Sequence, residues 1–203
     1  LDDIRAFLIK GQSAKQYHAH PEEENFIREL ALLSNKPVII AGNISEDEAI
    51  SGKKSQATTA FENFALQTGN MFVTISANLE LELSELPPAD RKILMSEWHI
   101  AEPGLNHLIQ AGYELLRLIT FFTMESKIVQ AWTIPTGTLA FKAAGVIHSG
   151  FEDRFIKAEV RHWNDLEKLH SEHLLHEQGL IHIEGKSYIV HDGDVITFKL
   201  SPG

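Results

Sequence analysis

The sequence predicts an α/β segment followed by an α+β segment, and three observations predict it. Two short apolar runs, residues 37–41 and Met71–Ile75, each lead directly into a polar loop and then a helical pattern. Buried parallel strands have that texture. From residue 118 the pattern changes to β-rich runs separated by short turn signals. The third observation is bulk composition. The 203 residues are 43% hydrophobic and 23% charged, ordinary for a globular chain and enough for one large domain or two small ones.

Residues 1–10 read as the end of an amphipathic helix, with Ile4, Phe7 and Leu8 on one face and Gly11 as its stop. A polar stretch carrying His18 and His20 follows. Pro21 opens a second predicted helix, with Glu22, Glu23 and Glu24 at its positive end and Phe26, Ile27, Leu30 and Leu33 as its apolar stripe. After the first strand, residues 45–70 are small and polar, and Ser51–Ser55 reads as a loop before a helix over 57–67. After the second strand, helical signals run to about Leu116, broken at Pro87-Pro88 and again at Pro103-Gly104. A strand, loop and helix repeated in this way predict an α/β sheet.

Beyond residue 118, Leu118–Thr123 and Ile128–Ile134 flank the turn Glu125-Ser126-Lys127 and predict a hairpin. A short helix over 138–145, a strand Phe155–Val160 and a helical stretch over 163–178 come next. A second hairpin is predicted from Ile181–Ile183 and Tyr188–Val190, turning at Glu184-Gly185-Lys186. Asp192-Gly193-Asp194 leads into a last strand, Val195–Leu200. Hairpin, helix, strand, hairpin and strand in that order predict a β-grasp domain.

The formal charge is −10 and the isoelectric point about 5.5. That balance argues against a protein that coats nucleic acid by counterion release, so no DNA partner is expected. It leaves room only for a local basic patch to touch ribosomal RNA. Disulfides and thiolate chemistry are excluded because the chain has no cysteine. No apolar run approaches the ~18 residues that span a bilayer. The opening residues carry acids and no secretory h-region, so the expected location is the cytoplasm and no membrane partner is expected.

Asn43-Ile44-Ser45-Glu46 stands directly after the first strand. Guanine-binding P-loop proteins carry Asn-Lys-x-Asp at this place, where the carboxylate accepts two hydrogen bonds from guanine and the lysine stem covers the base. Ile44 retains an apolar surface for a purine ring. Glu46, one methylene longer than Asp, weakens the two-donor test for guanine and so favours loosened selectivity and use of ATP. The plain alternative is that these residues only cap a helix. Ser76-Ala77 ends the second strand, where ligands of open α/β sheets bind.

A phosphate-cradling Gly-x-x-x-x-Gly-Lys-Ser/Thr is missing from the sequence. Gly52-Lys53 is followed by Lys54 and has Asp47 in place of the first glycine; Gly185-Lys186-Ser187 has Leu180 there. No catalytic residue is therefore expected among these residues. His170, His173 and His176 fall at spacings of three within the predicted 163–178 helix, where two of them suit a shared metal at i, i+3. No acidic or cysteine partner is arranged around them, so a solvated helix surface is the expectation and no metal site is assigned.

With these motifs in view, the chain resembles the C-terminal part of the YchF/Obg-like ATPases, P-loop NTPases that carry a TGS domain. Asn43-Ile44-Ser45-Glu46 is similar to the Asn-x-Ser-Glu of that family. Glu102-Pro103-Gly104-Leu105-Asn106 with Ala111–Leu116 resembles the helix that joins its nucleotide domain to its TGS domain. Ala131-Trp132-Thr133-Ile134, Gly137-Thr138, Ala143–His148, Phe155–Val160, Glu184–Tyr188 and Asp192-Gly193-Asp194 are similar to its TGS signatures in the same order.

The resemblance implies a remnant of an inserted helical domain over 1–20, the C-terminal half of the P-loop NTPase domain and its linking helix over 21–117, and a β-grasp TGS domain over 118–203. It implies that Asn43, Ile44, Ser45, Glu46, Ser76 and Ala77 form the nucleotide-base site. It also implies that the complete protein binds ATP, and GTP less selectively, hydrolyses it with Mg²⁺ and associates with ribosomes or ribosomal RNA through the TGS surface. The phosphate loop, switch regions and Mg²⁺ ligands would lie upstream of Leu1, so firm binding of nucleotide or Mg²⁺ by these residues alone is not expected. The alternative expectation is a non-catalytic TGS module that binds RNA, the ribosome or a protein.

Three stretches depart from the family pattern, at four positions. His-Thr-Asp-Phe reads His148-Ser149-Gly150-Phe151, Val-Arg-Ala-Trp reads Val129-Gln130-Ala131-Trp132, and the glycine before the first TGS strand is Arg117.

Overall fold

A computed structural model describes residues 2–125 and 128–202, and the chain divides into two units after Ala111. In the first unit, helix α1 (Asp2–Ile9) has Asp2 and Asp3 in its first turn, buries Ile4, and is followed by Gly11 at φ +77°. Helix α2 (Glu24–Glu29) is shorter than the sequence predicts. Its last turn tightens, Ala31 N donating to Arg28 O at 3.1 Å, and Ala31 then turns to φ +47°. That reversal takes Leu33 off the helix face, so of the predicted stripe only Ile27 is buried and Leu33 is 81% exposed.

Strand β1 (Ile39–Asn43) pairs in parallel with β2 (Met71–Ile75), in register from Ile39↔Met71 to Asn43↔Ile75. Between them lie α3 (Glu46–Ser51) and α4 (Gln56–Gln67). The sequence predicts only the helix over 57–67 in this stretch, and α3 enters it only as the plain capped-helix alternative for residues 43–46. Its signals are local: Ser45 accepts from Glu48 N at 3.2 Å, three acids occupy the first turn, and Gly52 ends it at φ +67°. Helix α5 (Ala77–Glu85) begins immediately after β2 and buries Leu79 and Leu83. Helices α6 (Pro88–Glu97) and α7 (Gly104–Leu116) follow at the proline breaks.

The second unit opens with β3 (Leu118–Glu125) and β4 (Ile128–Pro135), antiparallel without a register shift. The tip of the predicted turn, Ser126-Lys127, lies outside the described residues. Then come α8 (Ala140–Ile147), a short α9 (Phe151–Arg154), β5 (Phe155–His162), α10 (Trp163–Leu169), α11 (Glu172–Glu177), β6 (His182–Glu184) and β7 (Asp194–Leu200). The sheet order is β4-β3-β7-β5-β6, with β3 and β7 parallel and the other pairs antiparallel. Ala140, Ala143 and Ala144 let α8 lie close to one face of this sheet, over Phe121, Ile134, Phe155, Val160 and Ile196.

Two predictions for this unit need correction. The second hairpin does not form: β6 pairs with β5, while Tyr188–Val190 lies along the segment before α8. There Ala140 N donates to Tyr188 O at 2.8 Å and Val190 N to Thr138 O at 3.0 Å. Val190 is 1% exposed in the core beneath α8, a burial that a hairpin with β6 would forfeit. The helix over 163–178 is instead two helices. His170 ends α10 at φ +49° and Ser171 caps α11 by accepting from Leu174 N, so the three histidines do not share one helical face.

Asp192-Gly193-Asp194 joins the sheet by three different bonds. Asp192 Oδ1 accepts from Thr120 N at 2.8 Å, Gly193 N donates to Thr120 O at 2.9 Å, and Gly193 O accepts from Trp163 N at 3.0 Å. The buried Asp194 carboxylate accepts from Tyr188 Oη and His191 N, both at 2.8 Å. Burial, and then the Asp194 carboxylate, push the Tyr188 phenol well above its ordinary range. Asp194→Ala should cost about 2–3 kcal/mol by leaving both donors without their partner. Urea titration of the variant beside Asp194→Asn checks this, and equal stability of Asp194→Ala and wild type would refute it.

Arg117 is an exposed residue at φ +52° between α7 and β3, a conformation that disfavours a Cβ. Its N–H donates to Glu114 O at 3.0 Å and its carbonyl accepts from Thr136 N at 2.8 Å, so the backbone is held there from both sides. Arg117→Gly is expected to stabilise the fold by about 0.5–1 kcal/mol, read as a rise in the urea midpoint.

Candidate nucleotide-base site

The carboxyl ends of β1 and β2 meet at Asn43 and Ile75, which are register partners. Two bonds tie the loops that leave them. Asn43 Oδ1 accepts from Ala77 N at 3.1 Å, and Ile44 N donates to Ile75 O at 2.9 Å. The six residues singled out in the sequence are thereby divided between adjoining segments of one strand end. Ser45 is the cap of α3, and Glu46 lies exposed in its first turn, where a negative charge favours the helix. The Ala77 N–H is therefore already paired with Asn43.

Ser76 is 4% exposed, and its Oγ has no hydrogen-bond partner among the described residues. It lines a cleft of about 340 Å³ together with Ile44, Glu48, Glu80, Glu102 and His107. The described residues contain no group of three or more His, Asp or Glu side chains placed to hold a metal ion.

Two supporting residues were not found in the sequence. Glu48 Oε1 accepts from Ser55 N at 2.8 Å, which closes the loop between α3 and α4. The Ser-x-x-Glu spacing was the available signal, although this glutamate reaches forward to Ser55 instead of back to its own cap. Bonds from the Thr58 hydroxyl and the Ser55 N–H hold the Glu48 carboxyl below the ordinary 4.5. Its lowered folded value means the stabilisation is complete above that ordinary value and fades as pH falls through the depressed one. The Ser55 amide should accordingly lose exchange protection only in that acid range.

Glu80 is the other. Its Oε1 accepts from Gly104 N at 2.6 Å and satisfies the first residue of α7. Gly104 has little room for a side chain, since a Cβ there would sit 3.4 Å from Ile75 Cα and 3.2 Å from that same oxygen. In the sequence Gly104 stands at a helix break and in the motif that resembles the family's linking helix, and neither signals its contact with Glu80.

The fold defines a mixed α/β protein with parallel pairing in each of its two sheets. Comparison with known proteins agrees. The family model YchF-GTPase_C, "Protein of unknown function (DUF933)", matches residues 118–201. Ribosome-binding ATPase YchF of Bacillus subtilis is 36% identical over 201 residues, covering 99% of this chain and 55% of its own length. Ribosome-binding ATPase YchF of Escherichia coli O157:H7 is 40% identical over 177 residues, covering 87% and 48%. The structure of the Schizosaccharomyces pombe YchF GTPase superposes with a TM-score of 0.80 at 28% identity, over 98% of this chain and 53% of that one.

These matches set the chain alongside the YchF proteins, to which it is similar over nearly its whole length. It spans about half the length of the curated relatives it matches.

Proposed function

We propose that these residues supply the base-recognising edge of a nucleotide-binding sheet, joined to a TGS-type β-grasp unit, in a ribosome-associated protein that binds and hydrolyses ATP or GTP. The observation that carries this reading is the tie between the two loops at the strand ends, Asn43 Oδ1 to Ala77 N and Ile44 N to Ile75 O. It holds two polar loops together where open parallel sheets take ligands. The buried, unpartnered Ser76 hydroxyl in the adjoining cleft supports the reading, because a buried polar atom without a partner is a cost that a ligand can remove.

In this reading Asn43, Ile44, Ser45, Glu46, Ser76 and Ala77 make the base site. The strand order β4-β3-β7-β5-β6, with α8 on one face, supports a TGS domain over 118–203. Residues 21–117 are assigned to the nucleotide domain and its linking helix, and 1–20 to the inserted helical domain. The Mg²⁺ ion's protein ligands, the phosphate loop and the hydrolytic residues are assigned to the part of the complete protein that the chain, at about half its relatives' length, does not span. Catalysis of phosphoryl transfer is largely positioning and charge neutralisation by such parts. The cytoplasm is the location this function requires.

Backbone NMR of the chain titrated with ATP or GTP tests the proposal. Millimolar nucleotide should move the amides of Ile44, Ser76 and Ala77 without measurable phosphate release. Asn43→Ala should weaken that response by roughly tenfold, about the worth of one hydrogen bond. Nucleotide that shifts no amide in 43–46 or 76–77 would overturn the base site. Ribosome crosslinking without any nucleotide response would favour the binding-module alternative.

A further inference from the structure

The five-stranded sheet ends in two unlike edges. At one side β6 is only three residues long, a short edge that offers little to another chain. At the other, β4 runs for eight residues, and among the described residues it pairs only with β3, in unbroken register. Ile128–Pro135 contains no charged residue, and its proline comes last. Gln130 stands where the family pattern has arginine, so a charge that would guard this edge is missing. Ile128 and Val129 are 73% and 61% exposed.

Beside this edge, Val129 of β4 borders a groove. It encloses about 490 Å³ and is lined by Phe122, Met124, Val129, Trp163, Leu166 and Val195, with Glu167 and His170 also on its wall. Val129 belongs to both the open edge and the groove. Open main-chain donors and acceptors beside an apolar pocket are the two parts of strand addition: the backbone supplies affinity and the pocket selects a side chain.

We propose that β4 and this groove bind an extended peptide segment of a basic protein, which adds a sixth strand to the sheet and places an apolar side chain against Phe122, Met124 and Val129. Charge selects the occupant. Gly112–Gly203 holds nine Lys and Arg against twelve Asp and Glu in a chain of net charge −10. An acidic unit attracts a cationic strand and repels a nucleic-acid backbone. A second copy of this acidic chain is disfavoured by the same argument. This proposal does not depend on the nucleotide site, and its test leaves that site alone.

The probe is a fluorescein-labelled heptapeptide alternating valine with lysine and threonine, titrated into the full chain and followed by anisotropy. Saturable binding is expected, with slowed amide exchange along Ile128–Ile134. N-methylation of alternate peptide amides should weaken binding by at least about tenfold, because main-chain pairing is lost. Val129→Lys, at an exposed position, should weaken it by a similar factor while circular dichroism stays unchanged. The proposal is overturned by no saturable binding, by equal affinity of the N-methylated probe, or by unchanged exchange along β4. A single-stranded RNA oligonucleotide that protects β4 when the peptide does not would overturn it in favour of nucleic acid.

Discussion

Gly193→Ala is expected to destabilise the C-terminal unit by about 2–5 kcal/mol, from a left-handed backbone and a crowded site acting together. Gly193 sits at φ +83°, and a Cβ there would lie 2.4 Å from Trp163 Cδ1 and 2.8 Å from His162 Nε2. Moving the indole aside would disturb the start of α10, because Trp163 N donates to the carbonyl of Gly193 itself. The control is Gly137→Ala. Gly137 has a similar φ of +86° but nothing within 4 Å of the added carbon, so it should show only the backbone part, about 1–2 kcal/mol. Urea unfolding followed by tryptophan fluorescence separates the two variants. Equal losses would mean that the contact with Trp163 contributes nothing.

Phe121→Ala carries the other large effect, about 3–5 kcal/mol. Phe121 is fully buried on β3, beside the central strand β7, and meets Phe198 edge-on at 6.1 Å. Three buried alanines of α8 belong to the same core, and they have no side-chain length with which to fill the space left behind. The cavity would therefore persist, and its cost adds to the lost burial. Phe121→Leu should recover most of the loss. The readout is amide exchange in β3, β5 and β7 as well as the urea midpoint, since a local effect would leave β5 protected. A loss below about 1 kcal/mol would contradict the packing described here.

The two parallel strands were legible because their apolar runs are continuous, but the full burial that pattern predicts is not found: β2 is half-buried throughout, and Ala41 and Asn43 of β1 are exposed. The base loop followed from them by position. Helix α3 was legible only as an alternative because small polar residues obscure a six-residue helix whose only strong signals are its caps at Ser45 and Gly52. The segment 188–190 was paired wrongly because Glu184-Gly185-Lys186 is a good local turn signal. The burial of Val190 beneath α8 is a tertiary fact with no local trace. His170 misled in a similar way, since a left-handed residue within a helical pattern is uncommon even for histidine and composition does not announce it. At the candidate site the sequence placed all six residues at strand ends, but the bond from Ala77 to Asn43 joins positions 34 apart and had no sequence signature.

That bond has a consequence for what the proposed site can read. An asparagine amide has one oxygen that accepts and one nitrogen that donates. Ala77 takes one of that oxygen's two lone pairs, so Asn43 keeps one acceptor site and both amide hydrogens for an incoming ring. Both purines expose an acceptor at N7, so an Asn43 N–H placed there would serve adenine and guanine alike, and the choice between them would fall to the oxygen's remaining lone pair.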